Sequence, residues 1–212
     1  MTDSRLDLQA QGVRFKVLAH IFPVLRHDVI GPISNAGLAS AMLHQPPDGD
    51  NGSRHERLVD EVQSLLDEGV ASLRGLDDWL VDRERHGDAG VLFEDCSRIV
   101  AARLLATGKH VALPQFTIVP DLRLFSSRYI ILAWLFCLLD TLADGQELQV
   151  RAPSANVWTA APGAQSAAPA WPGQPEPILA EELQILAAAS GWQAECAPEL
   201  WTLRGPQELQ HW

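Results

Sequence analysis

Leu25-Arg26-His27-Asp28-Val29-Ile30-Gly31-Pro32 sets a histidine beside a carboxylate and five positions ahead of a proline, inside a long run of helical periodicity. At about 100° per residue, Leu18, Ile21, Phe22, Leu25 and Val29 fall on one side of a helix. His27 lies two residues from both Leu25 and Val29, about 200° away from each, so it points off the apolar stripe toward solvent or a partner. Pro32 cannot donate to the carbonyl of Asp28 and its ring crowds that carbonyl, which predicts a bend just past the histidine. Pro23 either opens the regular helix or kinks it one turn before His27. The spacing alone fits two readings, a reactive histidine on display and an ordinary solvated one.

Working outward, helical periodicity covers about Val13 to Leu43, and the breaker-rich run His44–Gly52 reads as a loop. Ser53 with Glu56 three residues later is a capping-box pattern, and Leu58, Val62, Leu65, Leu66, Val70, Leu73, Leu76 and Leu80 carry a second helix toward Arg85. Two such helices form an antiparallel hairpin. A hairpin buries one face of each helix, so its core is completed by a second copy, giving a dimeric four-helix bundle, or by packing on the rest of the chain.

The pattern changes at His86-Gly87-Asp88-Ala89-Gly90, a hinge by composition, which divides the chain into a hairpin domain, 1–88, and a second domain, 89–212. Beyond it we expect a helix over Val91–Ala106, a strand over His110–Leu113, a short segment at Leu122–Leu124 and an apolar helix from Ser127 to Leu142. Strands follow at Glu147–Ala152 and Asn156–Thr159. An Ala/Pro/Gly-rich loop fills Ala160–Pro177. A helix over Ile178–Ala189 stops at Ser190-Gly191, and the strands Trp192–Glu195 and Leu200–Arg204 close the chain. That order suits an α+β fold, one layer of helices on one mixed sheet.

Composition bounds the partners. Of 212 residues 47% are hydrophobic, enough for a sizeable core, and the net charge is −11. Only Lys16 and Lys109 among sixteen basic residues are lysines, and no basic stripe is available to neutralise phosphates, which argues against nucleic acid. Cys96, Cys137 and Cys196 are widely spaced and odd in number, so reduced thiols in a cytoplasmic protein are expected rather than a disulfide framework or a zinc site. Met1–Gln11 lacks the order of a signal peptide, and the apolar run Tyr129–Leu139 is too short to span a bilayer, so no membrane partner is expected. Asn51-Gly52-Ser53 reads as turn chemistry rather than a glycosylation site. No H-x₃-H, HExxH, GxSxG or phosphate-cradling glycine loop occurs; His110 sits at a strand start, and His20 and His44 lie on or near the first helix without spaced acidic partners.

Taken together, Arg26-His27-Asp28-Val29-Ile30-Gly31-Pro32, the hairpin and the order of elements after it resemble the core of bacterial sensor histidine kinases over nearly the whole chain. Asp121-Leu122-Arg123-Leu124 with Ile130-Ile131-Leu132 resembles that family's lead into its nucleotide-domain helix, and Asp144 to Val150 the turn and strand after it. Glu182 to Trp192 and Trp201-Thr202-Leu203 resemble its final helix and strands. The departures sit at the ATP-handling motifs. The helix Ile130–Leu139 holds no asparagine for magnesium, the segment Val157–Gly163 has no aspartate and one glycine where the family carries Asp-x-Gly-x-Gly, and Ala164–Pro177 has no basic residue where the family has its lid. The resemblance therefore narrows to dimeric histidine phosphotransferases, whose kinase-type ATPase sandwich is degenerate. Pro32-Ile33-Ser34-Asn35-Ala36-Gly37-Leu38 is similar to theirs as well.

This resemblance implies a relay. A ring nitrogen of neutral His27 attacks the aspartyl phosphate of a response-regulator receiver domain, and a second receiver's aspartate later removes the phosphoryl group. Imidazole keeps a nucleophilic neutral fraction near pH 7. Asp28 would hold the other ring nitrogen or simply solvate the helix. Receivers would dock on Arg26, Ile30, Gly31, Ser34, Gly37 and Ala41, with Ile33 packing in the bundle, and the facing side of the second helix would join in. The protein itself would need no cofactor, the magnesium residing on the receiver. The competing expectation is a non-catalytic dimeric scaffold or pseudokinase that binds a response regulator without using His27; a third is an ATP-dependent kinase with divergent motifs.

Overall fold

The computed structural model describes residues 2–43, 52–104, 107–115, 120–164 and 175–206. The first helix, α1 (Thr2–Leu43), begins well ahead of Val13 and runs on through Pro23 and Pro32, so Pro23 is not its start. The reason lies in the stripe Ala10, Val13, Val17, Ile21, Leu25, Val29, Ala36 and Ala39, each at most 9% exposed and three, four or seven residues apart. Pro32 falls in the same stripe and is buried, so the residue that interrupts the hydrogen-bond ladder is also a core residue. Phe22, expected in the stripe, instead faces out.

α2 (Gly52–Leu80) ends short of Arg85. The Asp82 carboxylate accepts the Glu84 N–H at 2.9 Å and Glu84 adopts a left-handed φ of 53°, a local turn that competes with another helical turn. The helix already includes Gly52; the Ser53 side chain of the expected capping box and the loop 44–51 lie outside the described residues.

The chain packs as two compact units, Phe22–Val81 and Met1–Ile21 with Asp82–Trp212, which differs from a division at residue 88. The first half of α1 belongs with the α/β elements because its polar flank is tied there. Lys16 Nζ bridges both carboxylate oxygens of Glu182 at 2.8 and 2.9 Å, Arg14 donates to Ser190 Oγ at 3.3 Å, and the His20 ring lies 5.1 Å from that of Phe136.

Within the α/β unit, β1 (His86–Asp88) pairs antiparallel with β3 (Asp121–Arg123), with α3 (Ala89–Leu104) and β2 (His110–Ala112) between them in sequence. The segment expected to hinge is thus a strand and a helix start. Asp88 Oδ1 accepts the Val91 N–H at 2.9 Å, capping α3, and a Cβ on Gly87 would stand 3.0 Å from Leu124 Cδ2, so the glycine serves close packing rather than freedom. α4 (Leu124–Thr141) opens one turn earlier than Ser127. By length and composition it is apolar enough to cross a membrane, yet 72% of it is buried in the unit, as befits a core helix.

The expected strand Glu147–Ala152 is two strands. β4 (Glu147–Gln149) runs parallel to β2, and β5 (Arg151–Ser154) pairs with β6 (Val157–Ala160) in another sheet. The switch falls at Val150, whose N–H still bonds Ala112 O at 2.9 Å. After α5 (Ala180–Ala188), β7 (Gln193–Cys196) and β8 (Trp201–Arg204) complete an antiparallel sheet of order β5-β6-β8-β7. Among the described residues three sheets therefore replace the single mixed sheet expected. Residues 165–174 of the Ala160–Pro177 loop lie outside the described residues. The core is aromatic: Phe93 meets Trp134 edge-on at 6.5 Å and Trp158 at 5.1 Å, and Trp158 stacks on Trp192 at 5.5 Å.

The Phe22–Val81 unit is a helical hairpin. Residues 44–51 join Leu43 to Gly52, while farther back Gly69 on α2 meets Pro32 and Ile33 on α1, so the helices run antiparallel. A Cβ at Gly69 would lie 3.0 Å from Ile33 Cγ1, which brings the two helices close six residues past His27.

Candidate functional site

Leu25 and Val29, at 9% exposure each, turn the ridge between them outward, and the side chains of His27 and Asp28 are 84% and 61% exposed. His27 Nδ1 stands 3.5 Å from Asp28 Oδ1. That exceeds a hydrogen-bond length, but it places a carboxylate beside Nδ1 when the ring is cationic. With the carboxylate on the Nδ1 side, Nε2 is the ring nitrogen farther from Asp28.

His27 and Asp28 line a groove of about 400 Å³ on the hairpin, with Gly31, Pro32 and Asn35 from α1 and Leu65, Glu68 and Ser72 from α2. On α1 these are positions i, i+1, i+4, i+5 and i+8 from His27, a single helical face; on α2 they are i, i+3 and i+7. A Cβ at Gly31 would stand 4.0 Å from His27 Cε1, an ordinary contact. Alanine therefore fits there, whereas a branched residue would reach over the ring edge between its nitrogens.

Of the residues assigned to docking from sequence, Gly31 joins His27 and Asp28 in the groove. Arg26, Ile30, Ser34, Gly37 and Ala41 are exposed on α1 outside it. Ile33, expected to pack, touches the Gly69 position yet stays 45% exposed. The sequence reading missed Asn35, Leu65, Glu68 and Ser72 as groove residues. Asn35 was available from helical phase, two turns past His27. The α2 residues depend on the hairpin register, which Gly69 sets and periodicity cannot. No hydrogen bond or ion pair engages Asn35, Glu68 or Ser72 among the described residues, so their polar atoms remain open to a ligand.

In the α/β unit, α4, expected from the sequence to correspond to a nucleotide-domain helix, is filled with core residues: Ile130, Ile131, Leu132, Ala133, Trp134, Leu135 and Leu138 have no exposed surface. After β6, Gly163 donates its N–H to Thr141 Oγ1 at 2.7 Å, and a Cβ there would lie 2.0 Å from Thr141 O. The backbone thus closes directly onto the end of α4. The thiols are placed for packing. Burial pushes Cys96 and Cys137 well above the ordinary thiol range, and burial with Glu181 nearby raises Cys196 to about 11. Among the described residues no group of three or more His, Cys, Asp or Glu gathers to hold a metal ion.

No protein-family model matches the chain, and no curated protein shows significant similarity to it. Among solved structures, the cytoplasmic segment of histidine kinase QseC is similar at 11% identity and a TM-score of 0.45, over 77% of this chain and 99% of that one. The Acinetobacter baumannii histidine kinase AdeS is similar at 12% identity and a TM-score of 0.43, over 86% and 98% of the two chains. A histidine kinase from Burkholderia phymatum STM815 is similar at 13% identity and a TM-score of 0.34, over 94% and 95%.

Proposed function

We propose that this protein is a histidine phosphotransferase in which His27 relays a phosphoryl group between the aspartates of response-regulator receiver domains. The observation that carries the reading is His27 itself, held outward by buried Leu25 and Val29, with Asp28 beside Nδ1, at the edge of an open groove. In the forward step Nε2 of the neutral ring attacks phosphorus in line, the N–P bond forms as the P–O bond to the receiver carboxylate breaks, and the carboxylate leaves with the electron pair. The ring keeps its Nδ1 proton and becomes cationic, which the Asp28 carboxylate stabilises. Return to a second receiver reverses these events. Magnesium is the receiver's, where it neutralises the phosphoryl oxygens.

Two features support transfer without ATP: the asparagine-free, fully packed middle of α4, and the closure of Gly163 onto Thr141 in the segment that lacks an Asp-x-Gly-x-Gly. The apolar surface of α2 supports a homodimer. Trp79 is buried and Leu58, Val62, Leu65 and Leu76 are half-buried. A second stripe of Val59, Leu66, Val70, Leu73 and Leu80 stays 43–65% exposed, four of its members at seven-residue intervals. Each such side chain is already about half buried, so covering the rest contributes about 1 kcal/mol, and a second hairpin forming a four-helix bundle would bury this stripe.

The test is to add purified protein to a receiver carrying a labelled aspartyl phosphate. Acid-labile, base-stable label moves to the wild-type chain and not to His27→Gln. Label that persists in His27→Gln overturns the assignment. No label from any receiver, with receiver binding retained, favours the scaffold. In sedimentation the wild type runs as a dimer and Leu66→Asp/Leu73→Asp as a monomer; a monomeric wild type would remove the bundle.

A further inference from the structure

Resting on the reading of His27 as a phosphoacceptor, we propose that Glu68 is a specificity-determining residue. With Asp28 it makes the groove accept phosphoryl groups that arrive with a divalent cation and disfavour those that arrive as bare anions. The groove residues are His27, two carboxylates, two neutral polar side chains and Gly31, Pro32 and Leu65, with no lysine or arginine among them. A site that bound a free phosphoryl group would place a cation at that wall. Here α2 places a carboxylate there, and that carboxylate has no ion-pair partner among the described residues. The setting is acidic too: residues 22–81 hold four arginines against ten Asp and Glu.

The backbone that carries Glu68 is held close to α1: the neighbouring Gly69 backs onto Ile33, and a Cβ there would already be at 3.0 Å. A dianionic phosphoryl group that enters the groove to reach His27 shares it with the Asp28 and Glu68 carboxylates and is repelled by both. When the same group is chelated by magnesium the cation offsets its two negative charges, so the repulsion by both carboxylates is largely cancelled. Asn35 and Ser72 can donate hydrogen bonds to phosphoryl oxygens in either case, so the carboxylates rather than the donors make the distinction. The site is open to solvent, which keeps the effect modest and screenable by salt.

The probe is potassium phosphoramidate, an anionic phosphoryl donor that needs no partner protein, applied with EDTA to wild type, Glu68→Gln and His27→Gln; the last subtracts label on other histidines. Glu68→Gln should raise the rate of His27 phosphorylation roughly two- to fivefold, the scale of an exposed charge pair, and the gain should vanish in high salt. With a magnesium-loaded phospho-receiver as donor, the ratio of receiver-driven to phosphoramidate-driven rates should fall by at least that factor. Equal phosphoramidate rates in wild type and Glu68→Gln, or a gain that high salt leaves intact, overturns the role of Glu68. Absence of receiver-driven label in the wild type instead overturns the phosphotransferase reading, and the phosphoramidate arm still decides Glu68. Matched thermal unfolding of the two proteins excludes a folding effect.

Discussion

The hairpin unit and the α/β unit spend their apolar residues in opposite ways. Among the described residues, eleven of the sixteen large hydrophobic side chains left exposed lie between Phe22 and Val81. The largest fully buried side chains, Trp134, Trp158, Phe93 and Phe136 among them, all lie in the other unit. A unit that closes its own core has finished its folding business alone. A unit that leaves an apolar stripe, a polar groove and a histidine on its surface is built to meet other molecules. The contrast agrees with the proposal that chemistry belongs to the hairpin, and in the α/β unit the middle of α4, Tyr129–Leu139, is buried throughout.

This contrast predicts where substitutions hurt stability. Trp158→Ala removes a side chain packed against Phe93 and Trp192, and should cost about 3–5 kcal/mol, read by urea unfolding. A cost below 1 kcal/mol would mean the α/β core is loose. Gly163→Ala comes next, at about 1–3 kcal/mol, because a Cβ would meet the carbonyl of Thr141 and backbone must shift. Gly31→Ala, its counterpart in the hairpin, meets only His27 Cε1 at 4.0 Å and should change stability by less than either.

Cysteine ionisation gives a smaller, pH-dependent effect confined to the α/β unit. Burial raises Cys96, Cys137 and Cys196 above their ordinary value of 9.0. The unfolded chain therefore loses thiol protons at a pH where the folded chain keeps them. Their contribution is fully present below about pH 9 and is lost progressively as pH rises above it. Stability measured at about pH 8 and about pH 10 should fall, and Cys96→Ala should flatten that fall. A rise in stability over the same interval would contradict the burial of these thiols.

How much of this was legible in the sequence follows the range of the forces involved. The outward face of His27 was readable, since helical phase is set within a few residues and Leu25 and Val29 bracket it. Asn35 could have been read the same way. The register that brings Glu68 and Ser72 to the groove was not, because it depends on contacts between α1 and α2, such as Gly69 against Ile33, made by segments far apart in sequence. Most element boundaries were near their observed places. The misreadings came where tertiary pairing overrode local composition: His86–Asp88 reads as a hinge but finds β3, and Glu147–Ala152 reads as one strand but feeds two sheets. The docking of Met1–Ile21 on the α/β elements was hidden for a different reason. It depends on single long-range partners such as Lys16 and Glu182, which no periodicity announces.

The measurement closest to the central claim compares two donors on one protein. Labelled ATP with magnesium and a labelled phospho-receiver are each mixed with the wild type and with His27→Gln, whose unfolding curve should match wild type within about 0.5 kcal/mol because the side chain is exposed. The account predicts label on the wild type from the receiver alone and none on His27→Gln. Label from ATP in the absence of a receiver, or label from the receiver that survives His27→Gln, would contradict it.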